Sequence, residues 1–138
     1  MIGFIKKTAA KIWAKSHVKQ TEYYKNNAEQ LQEKLLLDLV KSAEKTLFGL
    51  QHNFSEIKSV EDFQKNVKIC DYEDLKPFIE KIKHGDKNIL WQEKPEYFAK
   101  TSGTTSGTKY IPLTKEGMDY QVKAAQSALF HYIAQKNN

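Results

Sequence analysis

Apolar residues recur along most of this chain at helical spacing, and the phase of that recurrence predicts its elements. Over residues 1–20, Ile2, Ile5, Ala9, Ile12 and Trp13 fall on one helical face, with lysines around the rest. From about Thr21 to Leu50, Leu36, Val40, Ala43, Leu47 and Leu50 recur at intervals of four and three, and Leu31, Leu35 and Leu39 widen the stripe. A stripe this wide predicts a core-facing helix rather than a coiled-coil seam, because the heptad does not continue. Gly49 stands where such a helix would close.

Polar residues punctuate the chain beyond Leu50. Ser59, with Asp62 three positions on, predicts a capped short helix in "SVEDFQKN", and "VKIC" then reads as extended. Asp71 and Asp74 bracket another start in "DYEDLKPFIEKIKHG". Pro77 lacks an N–H and disfavours helical geometry at Lys76, so a turn is expected over 71–76 and a helix from Pro77 to about His84, closed by Gly85. "NILWQ" reads as a short strand or turn. Tyr97 to Thr101 and "KYIPL" are both β-prone and flank a run of small residues. Thr114 is then expected to cap a last helix whose stripe is Met118, Val122, Ala125, Leu129 and Tyr132 or Ile133. The order is several helices, then strand, loop, strand and helix. That is too few strands for a complete α/β sheet, so the fold class expected is a mainly helical portion of an α/β domain.

Composition narrows the function classes. A length of 138 residues suits one domain with a modest core, and 40% hydrophobic with 12% aromatic residues excludes a disordered chain. The single cysteine, Cys70, rules out an intramolecular disulfide and a thiol zinc cluster. It is expected to be a small buried hydrophobe, and a reducing, cytoplasmic setting is the economical reading. His17, His52, His84 and His131 are scattered without metal-ligand spacing, so no metal site is expected from them. The net charge of +5 resides in residues 1–20, where Lys6, Lys7, Lys11, Lys15 and Lys19 meet no acid; the remainder balances. A nucleic-acid binder needs a basic body, so nucleic acid is not an expected partner. All 22 basic residues are lysine, which removes the bidentate arginine fork for phosphate or carboxylate. The basic amphipathic helix at 1–20 suits either a membrane surface or a core on which its Trp and Ile face docks. The second reading is preferred and membrane binding is not expected, because the apolar run is too short to span a bilayer and lacks a transit peptide's arginine and serine.

The run between the β-prone segments differs in kind. Thr101 to Thr108 comprises six hydroxyl residues and two glycines, with Lys100 before it and Lys109 after it. Glycines let backbone N–H groups converge on a polyphosphate, short hydroxyls add donors without bulk, and a lysine adds mobile charge. It is not a Walker loop: three residues rather than four separate Gly103 from Gly107, and Thr108 intervenes before Lys109. On composition alone a hairpin loop that binds nothing stands equally open.

"TSGTTSGTK" resembles the phosphate-binding signature of adenylate-forming enzymes, the group of firefly luciferase and the acyl-CoA synthetases, whose usual form is Thr-Ser-Gly-Thr-Thr-Gly-x-Pro-Lys. The serine at the sixth place, the glycine at the seventh and the following "YIPLT" are similar to the acyl acid amido synthetases of the auxin-responsive promoter family. The plant form carries one more residue before the lysine. Upstream, the Phe-Gly of "TLFGL", "VEDF", "YEDLKP" and "GDKNILW" appear in that family's order, so the resemblance covers most of the chain after about residue 20.

The resemblance implies a carboxylic acid adenylated by ATP and an amide formed when an amine, usually an amino acid, displaces AMP. It implies Thr101, Ser102, Thr104, Thr105 and Ser106 as hydroxyl or N–H donors to phosphate, Gly103 and Gly107 as the residues that permit the turn, and Lys109 as the charge. It also implies Mg2+ between the phosphates, with its acidic ligand downstream. Residues 1–138 are then expected to be the N-terminal portion of one large adenylating domain, without catalytic residues of its own and inactive alone. The alternatives are an acyl-CoA synthetase, in which a thiol replaces the amine, and a noncatalytic helical module that binds membrane or protein through residues 1–20.

Overall fold

The computed structural model describes the backbone of residues 2–101 and 107–135, with side chains from Ile12 onward. Helices α1 (Ile2–Asn26), α2 (Ala28–Ala43), α3 (Leu47–Gln51), α4 (Val60–Asn66) and α5 (Tyr72–Lys83), with a 3-10 turn at Phe54–Glu56, precede strands β1 (Tyr97–Thr101) and β2 (Lys109–Leu113) and helix α6 (Lys115–Gln135). The chain is therefore mainly helical with a small antiparallel sheet. It divides into two compact units, one of residues up to Leu31 with those from Glu116 on, the other Gln32–Lys115.

The second unit holds the larger core. Val40 and Ala43 of α2 are buried with Phe54 and Ile57, and Leu36, Leu37, Phe48, Phe63, Val67 and Trp91 pack around them. Phe48 meets Phe54 edge-on at 5.9 Å and Phe78 at 5.4 Å, which ties α3 to α5. Each large apolar side chain buried here contributes roughly 1.5–3 kcal/mol relative to exposure.

The single helix expected through Leu50 breaks at 44–46, and the reason is a cap. Thr46, 1% exposed, donates its hydroxyl proton to the Ala43 carbonyl at 2.7 Å and accepts the Gly49 N–H at 3.0 Å. The other donors at the start of α3 are also met: Leu47 N–H by the Asn88 carbonyl, Phe48 N–H by that of Ile89, and Leu50 N–H by Thr46. Gly49 does not close a helix. It lies inside α3, where a Cβ would sit 2.1 Å from the Ala43 carbonyl oxygen. The same bonds explain why "NILWQ" forms no strand, since the carbonyls of Asn88 and Ile89 serve α3 instead. "VKIC" is non-helical and begins extended at Val67, as expected, but Ile69 and Cys70 are exposed, so the buried thiol is corrected.

Helix α5 starts earlier than expected. Asp71 accepts N–H bonds from Glu73 and Asp74, and Asp74 accepts from the Asp71 N–H at 2.9 Å, a reciprocal cap that fixes the first turn. Pro77 lies within the helix. A cap is worth about 1 kcal/mol against roughly 3 for an interior proline, so local terms alone do not favour this helix. Burial of Ile79 and Ile82 supplies the difference. Past His84, Gly85 takes φ 102°, with its N–H on the Ile82 carbonyl and the Asp86 N–H on that of Lys81. That is a Schellman closure, as the glycine predicted.

In the first unit, α1 packs mainly through Ala14, His17, Val18 and Thr21; Ile12 and Trp13 are 63% and 66% exposed, with Trp13 touching α6 at one ring edge only. His17 stacks on Phe130 of α6 at 4.7 Å, and Trp13 meets that ring edge-on at 6.0 Å. The Thr21 hydroxyl donates to the His17 carbonyl and contacts His131 Nε2 at 2.7 Å; with its one proton committed, it accepts from that nitrogen. Most of the stripe expected on α6 is turned outward: Met118, Val122, Ala125, Leu129 and Tyr132 are exposed and only its alternative end, Ile133, is half-buried, while Phe130 and His131 meet α1.

Candidate functional site

Both β-prone segments form the strands expected of them, and their register places the candidate loop. Tyr97 pairs with Leu113 and, four rungs on, Thr101 pairs with Lys109. The small-residue run therefore departs from and returns to one rung, with Thr101 and Lys109 opposite each other. Ser102, Gly103, Thr104, Thr105 and Ser106 lie outside the described residues. Of the remaining candidates, Thr101 and Gly107 are exposed and Lys109 is half-buried. Gly107 has φ 80° with nothing within 4 Å of a hypothetical Cβ, so its backbone conformation rather than crowding favours glycine there.

The return strand is held from outside the sheet. Tyr72, the first residue of α5, accepts the Tyr110 N–H on its hydroxyl oxygen at 2.8 Å. The Lys109 ammonium lies 5.2 Å from the centre of the Tyr72 ring, and the Lys83 ammonium 4.5 Å from that of Tyr110. Lys83 also pairs with Glu80 at 2.8 Å; that hydrogen bond raises the Lys83 pKa above its ordinary value and lowers that of Glu80. Among the described residues no carboxylate comes within ion-pair distance of Lys109. Reading the sequence missed Tyr72 and Tyr110. No local signal marks them, because they meet across 38 positions.

Other candidates resolve as ordinary structure. His52 and His84 each bond a carbonyl four residues earlier, and His17 and His131 belong to the α1–α6 contact. No group of three or more His, Cys, Asp or Glu side chains among the described residues could hold a metal ion. A polar cleft of about 420 Å³ between Lys41, Lys45, Asn88 and Gln92 and a smaller one of about 140 Å³ between Ile82, Trp91, Pro95 and Pro112 are present; among the described residues neither is lined by Thr101 or by residues 107–109. No described helix is long and apolar enough to cross a membrane.

Comparison with known proteins gives one family. The model of the GH3 family N-terminal domain matches residues 17–138. The probable indole-3-acetic acid-amido synthetase GH3.1 of Arabidopsis thaliana is 30% identical over 95 residues, covering 67% of this chain and 16% of the relative. Indole-3-acetic acid-amido synthetase GH3.5 of the same plant is 28% identical over 107 residues, 76% of this chain and 18% of the relative. Its 4-substituted benzoates-glutamate ligase GH3.12 is 29% identical over 103 residues, 73% and 18% respectively. This chain thus spans less than a fifth of the length of these relatives.

Proposed function

The chain belongs to the GH3 family, and on that premise we propose that it is the N-terminal portion of a cytoplasmic, ATP-dependent acyl acid amido synthetase. The observation that carries the reading is the position of the Thr101–Lys109 run. It lies inside the family match and is strung between opposite ends of one rung of the ribbon. The relatives' names, amido synthetase and ligase, give the reaction class.

In this reading a carboxylate oxygen attacks the α-phosphorus of ATP, the bond to the bridging oxygen breaks, and pyrophosphate leaves. The nitrogen of an amine then attacks the acyl carbon of the adenylate; AMP leaves and the nitrogen loses a proton. The first step brings two anions together, so its barrier falls when donors already surround the developing charge. Thr101, Ser102, Thr104, Thr105 and Ser106 supply hydroxyl or N–H donors, Gly103 and Gly107 let the backbone approach, and Lys109 brings a positive charge. Mg2+ would supply further positive charge to the phosphates, held by an acidic residue that the resemblance puts downstream of these residues.

The test is carboxylate-dependent exchange of labelled pyrophosphate into ATP by the full-length protein. Gly103→Val is expected to abolish exchange with an unchanged unfolding midpoint. Exchange at the original rate in that variant overturns the reading. Replacing the amine by coenzyme A separates it from thioester formation, because an amido synthetase releases AMP with the amine alone.

A further inference from the structure

Resting on the phosphate reading above, we propose that Tyr72 is a positioning residue, which aims the Lys109 ammonium and registers the return strand of the loop against α5. One side chain touches both things that matter. Its hydroxyl holds the backbone N–H of residue 110 at 2.8 Å, and its ring lies 5.2 Å from the charge of residue 109. Tyr72 itself starts a helix whose first turn is locked by the Asp71–Asp74 cap.

A two-stranded ribbon has an open edge on each side, so its partner strand alone does not fix where its end points. The Tyr72 hydroxyl meets a β2 donor on such an edge and ties the strand to a helix with buried Ile79 and Ile82. The ring does a different job. Its quadrupole attracts a cation without neutralising it, and a polyphosphate carrying full negative charge outcompetes it. The neighbouring lysine shows the contrast. Lys83 lies over Tyr110 and is neutralised by Glu80, whereas among the described residues no carboxylate pairs with Lys109. Of the two lysines set on tyrosines between α5 and β2, Lys109 keeps its charge for an anion.

Four variants of the full-length enzyme test this: Y72F, Y72L, K109M and the double Y72L/K109M, with G103V alongside. Two rates are read in each, pyrophosphate exchange and amide formation from a supplied acyl adenylate, which carries no β- or γ-phosphate. Y72L is expected to slow exchange by on the order of tenfold, Y72F by less because the ring remains, and neither to slow amide formation from the adenylate. The double variant is expected to be slower than K109M alone by clearly less than the full Y72L factor, since the ring's part of the effect runs through Lys109. Equal loss of both rates in Y72L and Y72F, or a double variant slower than K109M by the full Y72L factor, makes Tyr72 merely structural and overturns the proposal. Should Y72L fail to fold, Y72F decides alone: its exchange must fall while its amide formation holds. Normal exchange in G103V removes the phosphate reading itself. Lost exchange in G103V with normal exchange in Y72F and in any folded Y72L removes the Tyr72 assignment and leaves that reading standing.

Discussion

The two units of this chain are held together by different means. In Gln32–Lys115, Val40, Ala43, Phe54, Ile57, Ile79, Ile82 and Ile89 are buried, and the one buried polar side chain among the described residues, Thr46, is a satisfied helix cap. In the unit of α1 and α6, Ala14 is the buried hydrophobic residue among those described, and Met118, Tyr120, Val122, Leu129 and Tyr132 are exposed. There the helices meet through the His17–Phe130 stack and the Thr21–His131 hydrogen bond. Apolar burial scales with area, whereas one ring stack and one hydrogen bond contribute about 1 kcal/mol each. The unit that holds the candidate loop is the one with the stiffer support.

The two tryptophans allow that contrast to be measured, since Trp13 lies in the first unit and Trp91 packs on the core of the second. Phe54→Ala should cost about 3–4 kcal/mol in urea unfolding followed at Trp91, because it empties the centre of the aromatic cluster. A loss under 1 kcal/mol there would break the comparison. Gly49→Ala should cost roughly 2–3 kcal/mol by the same readout, as its Cβ meets the Ala43 carbonyl and the α2–α3 corner must shift. Phe130→Ala should cost only about 1–1.5 kcal/mol at Trp13, and Met118→Ser less than about 0.5. Equal costs for Phe130 and Phe54 would erase the distinction.

The smallest effect expected is one of pH. Hydrogen bonds from the Lys58 N–H and the Ser59 side chain hold the Asp62 carboxyl below its ordinary pKa. A depressed carboxylate stabilises α4 above its unfolded pKa, and that contribution disappears as pH falls through the lower folded value. NMR titration of the residue 58–66 amides should show the start of α4 loosening at acid pH in the parent and no such step in Asp62→Asn.

The Asp71–Asp74 cap was read, but Pro77 moved the expected helix start past it, whereas the start of α4 was legible because its partner and donor, Ser59 and Asp62, lie three residues apart. The two strands were legible for the same reason: β-prone runs flank a segment of Gly, Ser and Thr. The break at Thr46 was legible in principle, because a threonine before "LFG" is a capping residue, but the continuing leucine period concealed it. Pro77 misled because a local rule met a tertiary gain in the burial of Ile79 and Ile82.

What the chain's order of residues determined by itself is the make-up of the small-residue run, the strands on either side of it and the caps that begin α4 and α5. Each depends on neighbours a few bonds away. Only the tertiary structure decided which face of α1 and of α6 is turned inward, that Gly49 yields space to a carbonyl, and that Tyr72 reaches the return strand. Those outcomes turn on contacts across 110 positions, as between Thr21 and His131, or 38, as between Tyr72 and Tyr110. Periodicity marks several faces as able to pack; only the partner that arrives selects one.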